Sequence, residues 1–252
     1  MGQLHYGPLE PPLRVSPTAL NAFDTCKYRF YLSRKIEPIT EEIPDYFRRG
    51  LEVHGLMDGS VLPSEAGADS LDMFHRLDQF EQSLGLLSIR RELTQKFIVP
   101  THPNILLTRR VDMLAYTPAG EAVIVDYKTA SRPWKKLKLE GKEVQPSAHQ
   151  WQSAGYLFPP PPEFLEELDL ETWPTELWYL VVPATHNARP QRFVVKWTAE
   201  MGKDFDNILD EIEAEKYFRQ SFGYSCHYCD FAPVCYEAEG WRGLYAEREE
   251  NG

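Results

Sequence analysis

The sequence predicts an α/β fold, and three observations predict it. Apolar residues recur at helical spacing on both sides of a central stretch. That stretch, residues 93–127, holds three runs rich in Val, Ile, Leu and Phe, divided by turn signals. Two more such runs, 176–182 and 191–197, follow a helical segment, so strand and helix patterns share one chain. The 252 residues are 42% hydrophobic and 26% charged. That balance suits a domain with its own core and excludes a coiled coil, a collagen repeat and a mostly disordered chain.

The elements follow in chain order. Residues 1–15, with Pro8, Pro11 and Pro12, read as an extended arm. Ser16-Pro17 predicts a helix start, with Ser as N-cap and Pro in the first turn. This helix should reach about Arg34, carrying Leu20, Phe23, Tyr28, Phe30 and Tyr31, with Cys26 inside it. A second helix is expected over 45–57, with Phe47, Leu51 and His54 spaced by four and three. A loop over 58–70 leads to a third helix over 71–84. Strands are expected at 93–99, 105–116 and 121–127. Residues 131–146 are basic and broken by proline, which predicts a loop. Ser147 could cap a helix holding Gln150, Gln152 and Tyr156, which four prolines at 159–162 stop. Strands at 176–182 and 191–197 precede an amphipathic helix over 199–220 and a Cys-rich tail over 223–236.

One domain is expected over 1–252, with an N-terminal helical part (16–90), a core (91–200) and a C-terminal helix and tail (201–236). No run of apolar residues is long enough to span a membrane, and no secretory signal opens the chain, so the expected compartment is the cytoplasm. The net charge of −11 has the wrong sign for a protein that coats nucleic acid non-specifically. It suits a site that holds divalent cations with carboxylates. Local basic pairs, Arg48-Arg49, Arg90-Arg91 and Arg109-Arg110, and the run Lys135, Lys136, Lys138 offer steering. There is no P-loop, so ATP hydrolysis by this chain is not expected.

Four motifs carry chemistry. Asp112 and Asp126 lie on neighbouring predicted strands, and two such carboxylates can share one divalent cation. Lys128 is two residues past Asp126, so on a strand it points the same way. An ammonium beside a metal and a scissile phosphate suits phosphodiester hydrolysis. His54 could add a nitrogen ligand, although a lone His on an apolar helix also fits core packing; Glu92 is either a supporting carboxylate or a surface charge. Gln152 and Tyr156 share a helix face and can hydrogen-bond a phosphate or a base; Gln150 is a near alternative to Gln152. Trp134 beside Lys135 and Lys136 is a candidate stacking platform for unpaired bases. Finally, the chain has 4 cysteines: Cys226, Cys229 and Cys235 cluster near one end and Cys26 near the other. Four thiolates suit a tetrahedral zinc or a four-iron cluster, and three clustered plus one distant favours the cluster.

The ordered set of Cys26, Gly50-x3-His54, Asp112, Asp126-x-Lys128, Gln152-x3-Tyr156 and Cys226-x2-Cys229-x5-Cys235 resembles the PD-(D/E)XK nuclease superfamily. Within it, the set is similar to the RecB-like branch with an iron–sulfur staple. That branch includes the CRISPR-associated exonuclease of the adaptation step, the AddB nuclease domain, and stand-alone phage and bacterial exonucleases. The resemblance implies a restriction-endonuclease-like core: a central mixed sheet flanked by helices, with the N-terminal helix and Cys tail joined by a cluster. It implies Mg²⁺ or Mn²⁺ bound by His54, Asp112, Asp126 and the Tyr127 carbonyl, with Lys128 as the catalytic lysine. It also implies DNA contact by Gln152 and Tyr156, and a structural [4Fe–4S] cluster on the four cysteines. The implied activity is exonucleolytic cleavage of single-stranded DNA or duplex ends in recombination, repair or CRISPR adaptation. Expected partners are DNA and an integrase or recombination protein, in a monomer or an oligomer, with no membrane. The alternative is a non-catalytic DNA-end-binding subunit of a larger complex.

Overall fold

A computed structural model describes residues 9–36, 45–134, 137–139, 142–144, 150–221, 223, 226, 229–232 and 235. In order, the elements are β1 (Leu13–Val15), α1 (Pro17–Thr25), α2 (Lys27–Leu32), α3 (Asp45–Asp58), α4 (Ala68–Ser83), β2 (Leu87–Val99), β3 (His102–Tyr116), β4 (Ala122–Ala130), β5 (Leu137–Leu139), β6 (Lys142–Val144), α5 (Gln150–Leu157), α6 (Pro162–Glu167), β7 (Glu176–Pro183), β8 (Gln191–Lys196) and α7 (Ala199–Ala214).

The expected mixed sheet is present. Its strand order is β1-β3-β4-β7-β8, with β2 also on β3. The β2–β3, β3–β4 and β7–β8 pairs are antiparallel; β1–β3 and β4–β7 are parallel. Helices cover both faces. On one face, Val53 and Met57 of α3 and Met73 and Leu77 of α4 pack with Met113, Val125 and Tyr127. On the other, Leu20 and Phe23 of α1, Ala154 of α5 and Phe205, Ile208 and Leu209 of α7 close over Ile105 and Leu107. Among the described residues no helix is long and apolar enough to cross a membrane.

The path of β3 positions the site. β2 runs along one edge of β3. The other edge is shared: β1 pairs with Ile105–Leu107, and β4 pairs only with Met113–Tyr116. Between these two partners, residues 108–112 have no ladder on that edge, and the sheet opens there.

Several expectations need correction. The helix expected over 17–34 breaks at Cys26, whose backbone is extended (φ −158°, ψ 106°). Cys26 ends α1 and caps α2, its Sγ accepting from the Arg29 N–H at 3.5 Å. Part of the expected arm is instead β1, because Leu13 and Val15 bury alternate side chains against β3. The first strand of the meander starts at Leu87, not 93, so Glu92 is mid-strand rather than at its start. β5 and β6 form a small hairpin within the segment expected to be a loop. The last helix stops at Ala214, six residues earlier than the pattern suggested. Ser147, the expected cap, lies outside the described residues.

Candidate active site

At the opening in the sheet, β3 contributes Asp112 and β4 contributes Asp126 and Lys128. β3–β4 pairing ends at Met113–Val125, so the Tyr127 N–H loses its ladder partner on that edge. The Asp112 carboxylate replaces it: the Tyr127 N–H donates to Asp112 Oδ2 at 2.7 Å. His54 on α3 approaches the same oxygen, with Nδ1 3.5 Å away. Asp126 is 1% exposed. Its Oδ1 accepts from Gln152 Nε2 at 3.5 Å, and its Oδ2 pairs with the Lys128 ammonium. Gln152 Nε2 also donates to Tyr156 Oη at 3.5 Å. The structure therefore brings together His54, Asp112, Asp126, Lys128, Gln152 and Tyr156. It selects Gln152, which is buried, over Gln150, which is exposed.

The electrostatics are those of two buried carboxylates sharing too little positive charge. Burial and then the Asp126 charge push Asp112 well above the usual carboxylate range, against the pull of Lys128. Burial lowers His54, with Lys128 working in the same direction and Asp126 opposing, so the imidazole favours its neutral, ligating form. Burial also holds Tyr156 protonated as a donor, and both Asp126 and Asp112 add to that shift. Two buried carboxylates from neighbouring strands and a neutral imidazole match what a divalent cation needs.

Glu92 stands close by, with φ 51° in the left-handed region. It pairs with Arg110, and burial raises its carboxyl. Asp58 joins them, with Oδ2 3.5 Å from an Arg110 guanidinium nitrogen. Asp58 was not singled out from the sequence, and Arg110 was read there only as one of a basic pair. Asp58 had a signal, since it lies one helical turn beyond His54. The indole of Trp134 is half-buried rather than free: it packs on Tyr179 (ring centroids 5.9 Å apart) and Phe193 (5.3 Å). Lys135 and Lys136 lie outside the described residues.

A buried arginine supports the helix that presents Gln152. Arg109 is 2% exposed and, among the described residues, pairs with no carboxylate. One guanidinium nitrogen donates to the carbonyls of Gly155 (3.1 Å), Tyr156 (2.9 Å) and Phe158 (2.5 Å), and Nε donates to Gln95 Oε1 (2.7 Å). Burial pushes Arg109 down to about 9, so it is still a cation at neutral pH.

The four cysteines also converge. Cys26, Cys226, Cys229 and Cys235 line one small cavity with Tyr28, Leu32 and Phe231, and none is in a disulfide. Burial raises the Cys229 thiol, and Cys26 and Cys235 add to that shift. Contacts around them tie the two ends of the fold: Arg29 to Asp230 at 3.3 Å, and Lys27 to Glu215 at 2.6 Å. Elsewhere, buried His102 meets Asp210 at 3.2 Å, with Glu213 nearby. This group clasps the β2–β3 turn to α7, at the far end of β3 from Asp112.

The structure is similar to a crystal structure from Eubacterium rectale described as a candidate exonuclease. That match has 13% identity and a TM-score of 0.53, covering 86% of this chain and 88% of that one. It is also similar to SSO0001 (13% identity, TM-score 0.43, covering 91% and 89%). A third match is LHK-Exo in complex with dAMP (12% identity, TM-score 0.39, covering 92% and 93%). No curated protein matches the chain significantly. The family model for the PD-(D/E)XK nuclease superfamily matches residues 14–236, which include every motif residue named above. With that match over a sheet that opens between Asp112 and Asp126, the chain belongs to the PD-(D/E)XK nuclease superfamily.

Proposed function

We propose that this nuclease is a divalent-metal-dependent DNA exonuclease with an iron–sulfur staple, of the RecB-like branch. One observation carries the reading: Asp112, Asp126, Lys128 and His54 converge where β3 and β4 part, with both carboxylates buried. Asp112, Asp126, His54 and the Tyr127 carbonyl would hold Mg²⁺ or Mn²⁺. When bound, the cation supplies Lewis-acid activation of a phosphoryl oxygen and a water of lowered pKa. The rest is done by the chain. Lys128, held against Asp126, orients the attacking water and meets charge developing on the phosphate. Gln152 and Tyr156 hold the scissile phosphate or its base beside Asp126. Asp112 binds its proton more tightly than an ordinary carboxyl does, and that proton must leave before the pair can ligate.

The four thiols lining one cavity fit a [4Fe–4S] cluster, which would join α2 to the C-terminal tail. DNA is the proposed substrate. Work in recombination, repair or CRISPR adaptation, an integrase or recombination partner, and a cytoplasmic setting belong to the same proposal. The test is digestion of single-stranded and duplex DNA labelled at either end, with Mg²⁺ or Mn²⁺. The reading expects products shortening progressively from one terminus. Internal cuts in closed circular DNA at the same rate would exclude an exonuclease, and DNA-end binding without cleavage would favour a binding subunit.

A further inference from the structure

Tyr127 sits between Asp126 and Lys128 but points to the opposite face of the sheet. There its phenol is clamped. Tyr127 Oη donates to Glu81 Oε2 on α4 at 2.5 Å. It accepts from an Arg91 guanidinium nitrogen on β2 at 2.7 Å. Arg91 and Glu81 close the triangle at 2.5 Å. Tyr127 and Glu81 are buried and Arg91 is half-buried, so the Tyr127–Glu81 bond is shielded from water. The His54 ring stands edge-on to the phenol, with centroids 6.1 Å apart.

The place of this clamp matters. β4 leaves β3 after Val125, so its catalytic stretch has a ladder only on the β7 side. The clamp ties that stretch back to β2 and α4 across the opening. Rotation of β4 about its axis would move the Asp126 and Lys128 side chains together, and the Tyr127 N–H that holds Asp112 would move with them.

We infer that Glu81 and Arg91 are positioning residues for the metal site, acting through the Tyr127 phenol; the inference rests on the nuclease reading of that site. Outer partners of metal ligands typically change affinity by 10–100-fold when lost. Tyr127→Phe keeps the ring and the carbonyl and removes only the tether. Glu81→Gln keeps an acceptor for the phenol.

The test titrates the full-length wild type and both variants with Mn²⁺, reading free ion by electron paramagnetic resonance. Asp126→Asn serves as the control for loss of the site, and circular dichroism checks folding. Tyr127→Phe should weaken Mn²⁺ binding about tenfold and Glu81→Gln by less. In cleavage assays the Mn²⁺ midpoint should shift in step, with KM for DNA unchanged. Folded variants that bind Mn²⁺ within about twofold of wild type, while Asp126→Asn does not, would overturn the inference. So would a wild type that binds no Mn²⁺. Shifted binding with an inactive wild type would uphold the clamp and refute the nuclease reading instead. If Tyr127→Phe does not fold, Glu81→Gln alone decides by the same criteria.

Discussion

Arg109→Met should destabilise the protein by about 3 kcal/mol, and the reason begins with the four prolines after α5. An α-helix leaves its last carbonyls to be met from outside its own turns. In an ordinary chain, following N–H groups supply some of those partners. Here residues 159–162 are all proline and have no N–H to give. The carbonyls of Gly155, Tyr156 and Phe158 instead converge on one guanidinium. Without it, the Tyr156 carbonyl keeps the Trp173 indole N–H at 3.0 Å. The carbonyls of Gly155 and Phe158 and the side-chain oxygen of Gln95 lose the bond each receives from Arg109. Three acceptors at about 1 kcal/mol each give the total of about 3 kcal/mol. For a domain of this size that is a fall in Tm of about 6–12 °C. Urea denaturation and thermal melts of wild type and variant measure it. A loss below about 1 kcal/mol, with an unchanged urea slope, would refute the capping argument. Arg109→Lys should fall between the two, because one ammonium cannot span the same acceptors.

Other outcomes follow from the same geometry. Asp112 is raised in the folded state, so the native protein holds that proton more tightly than the unfolded chain. Stability from this group therefore falls as pH rises above its ordinary value of 3.8. Asp112→Asn should raise the metal-free Tm at pH 8 and should abolish the Tm gain on adding Mn²⁺; a lower metal-free Tm would contradict this. Gly155→Ala should cost about 1–3 kcal/mol by overpacking, since a Cβ there would lie 3.0 Å from Pro17 Cγ where α5 crosses α1. Chemical denaturation reads the loss. Anaerobically purified protein should be brown, absorbing near roughly 400 nm, and Cys235→Ser should bleach it. Colourless protein with one zinc per chain would replace the cluster with a zinc site.

Much of the candidate site was legible because its chemistry recurs at fixed local spacings. Asp126-x-Lys128 is a strand period, and Gln152-x3-Tyr156 is a helical one. The positions of most strands along the chain were readable from Val/Ile runs such as Val123–Val125. What stayed hidden depends on contacts between residues distant in sequence. Nothing local in Glu81, Arg91 or Arg109 marks the partners they meet, since each would pass as surface charge. Glu81 meets Tyr127 across 46 residues, and Arg109 meets Tyr156 across 47. The break at Cys26 was missed for a related reason: the apolar pattern continues through 17–34, while the thiol itself caps the next turn. Trp134 looked exposed because lysines follow it, but Tyr179 and Phe193 arrive from β7 and β8 to pack its ring.

The central claim is that the residues at the opening between β3 and β4 cut DNA with a divalent cation. Lys128→Ala tests it most directly, because the substitution leaves both carboxylates and His54 in place. End-labelled single-stranded DNA should be digested by wild type with Mn²⁺, untouched in the presence of chelator, and cleaved by the variant at least about 100-fold more slowly. Mn²⁺ binding should survive in that variant. Cleavage by Lys128→Ala at the wild-type rate would contradict the account and move the chemistry away from this site.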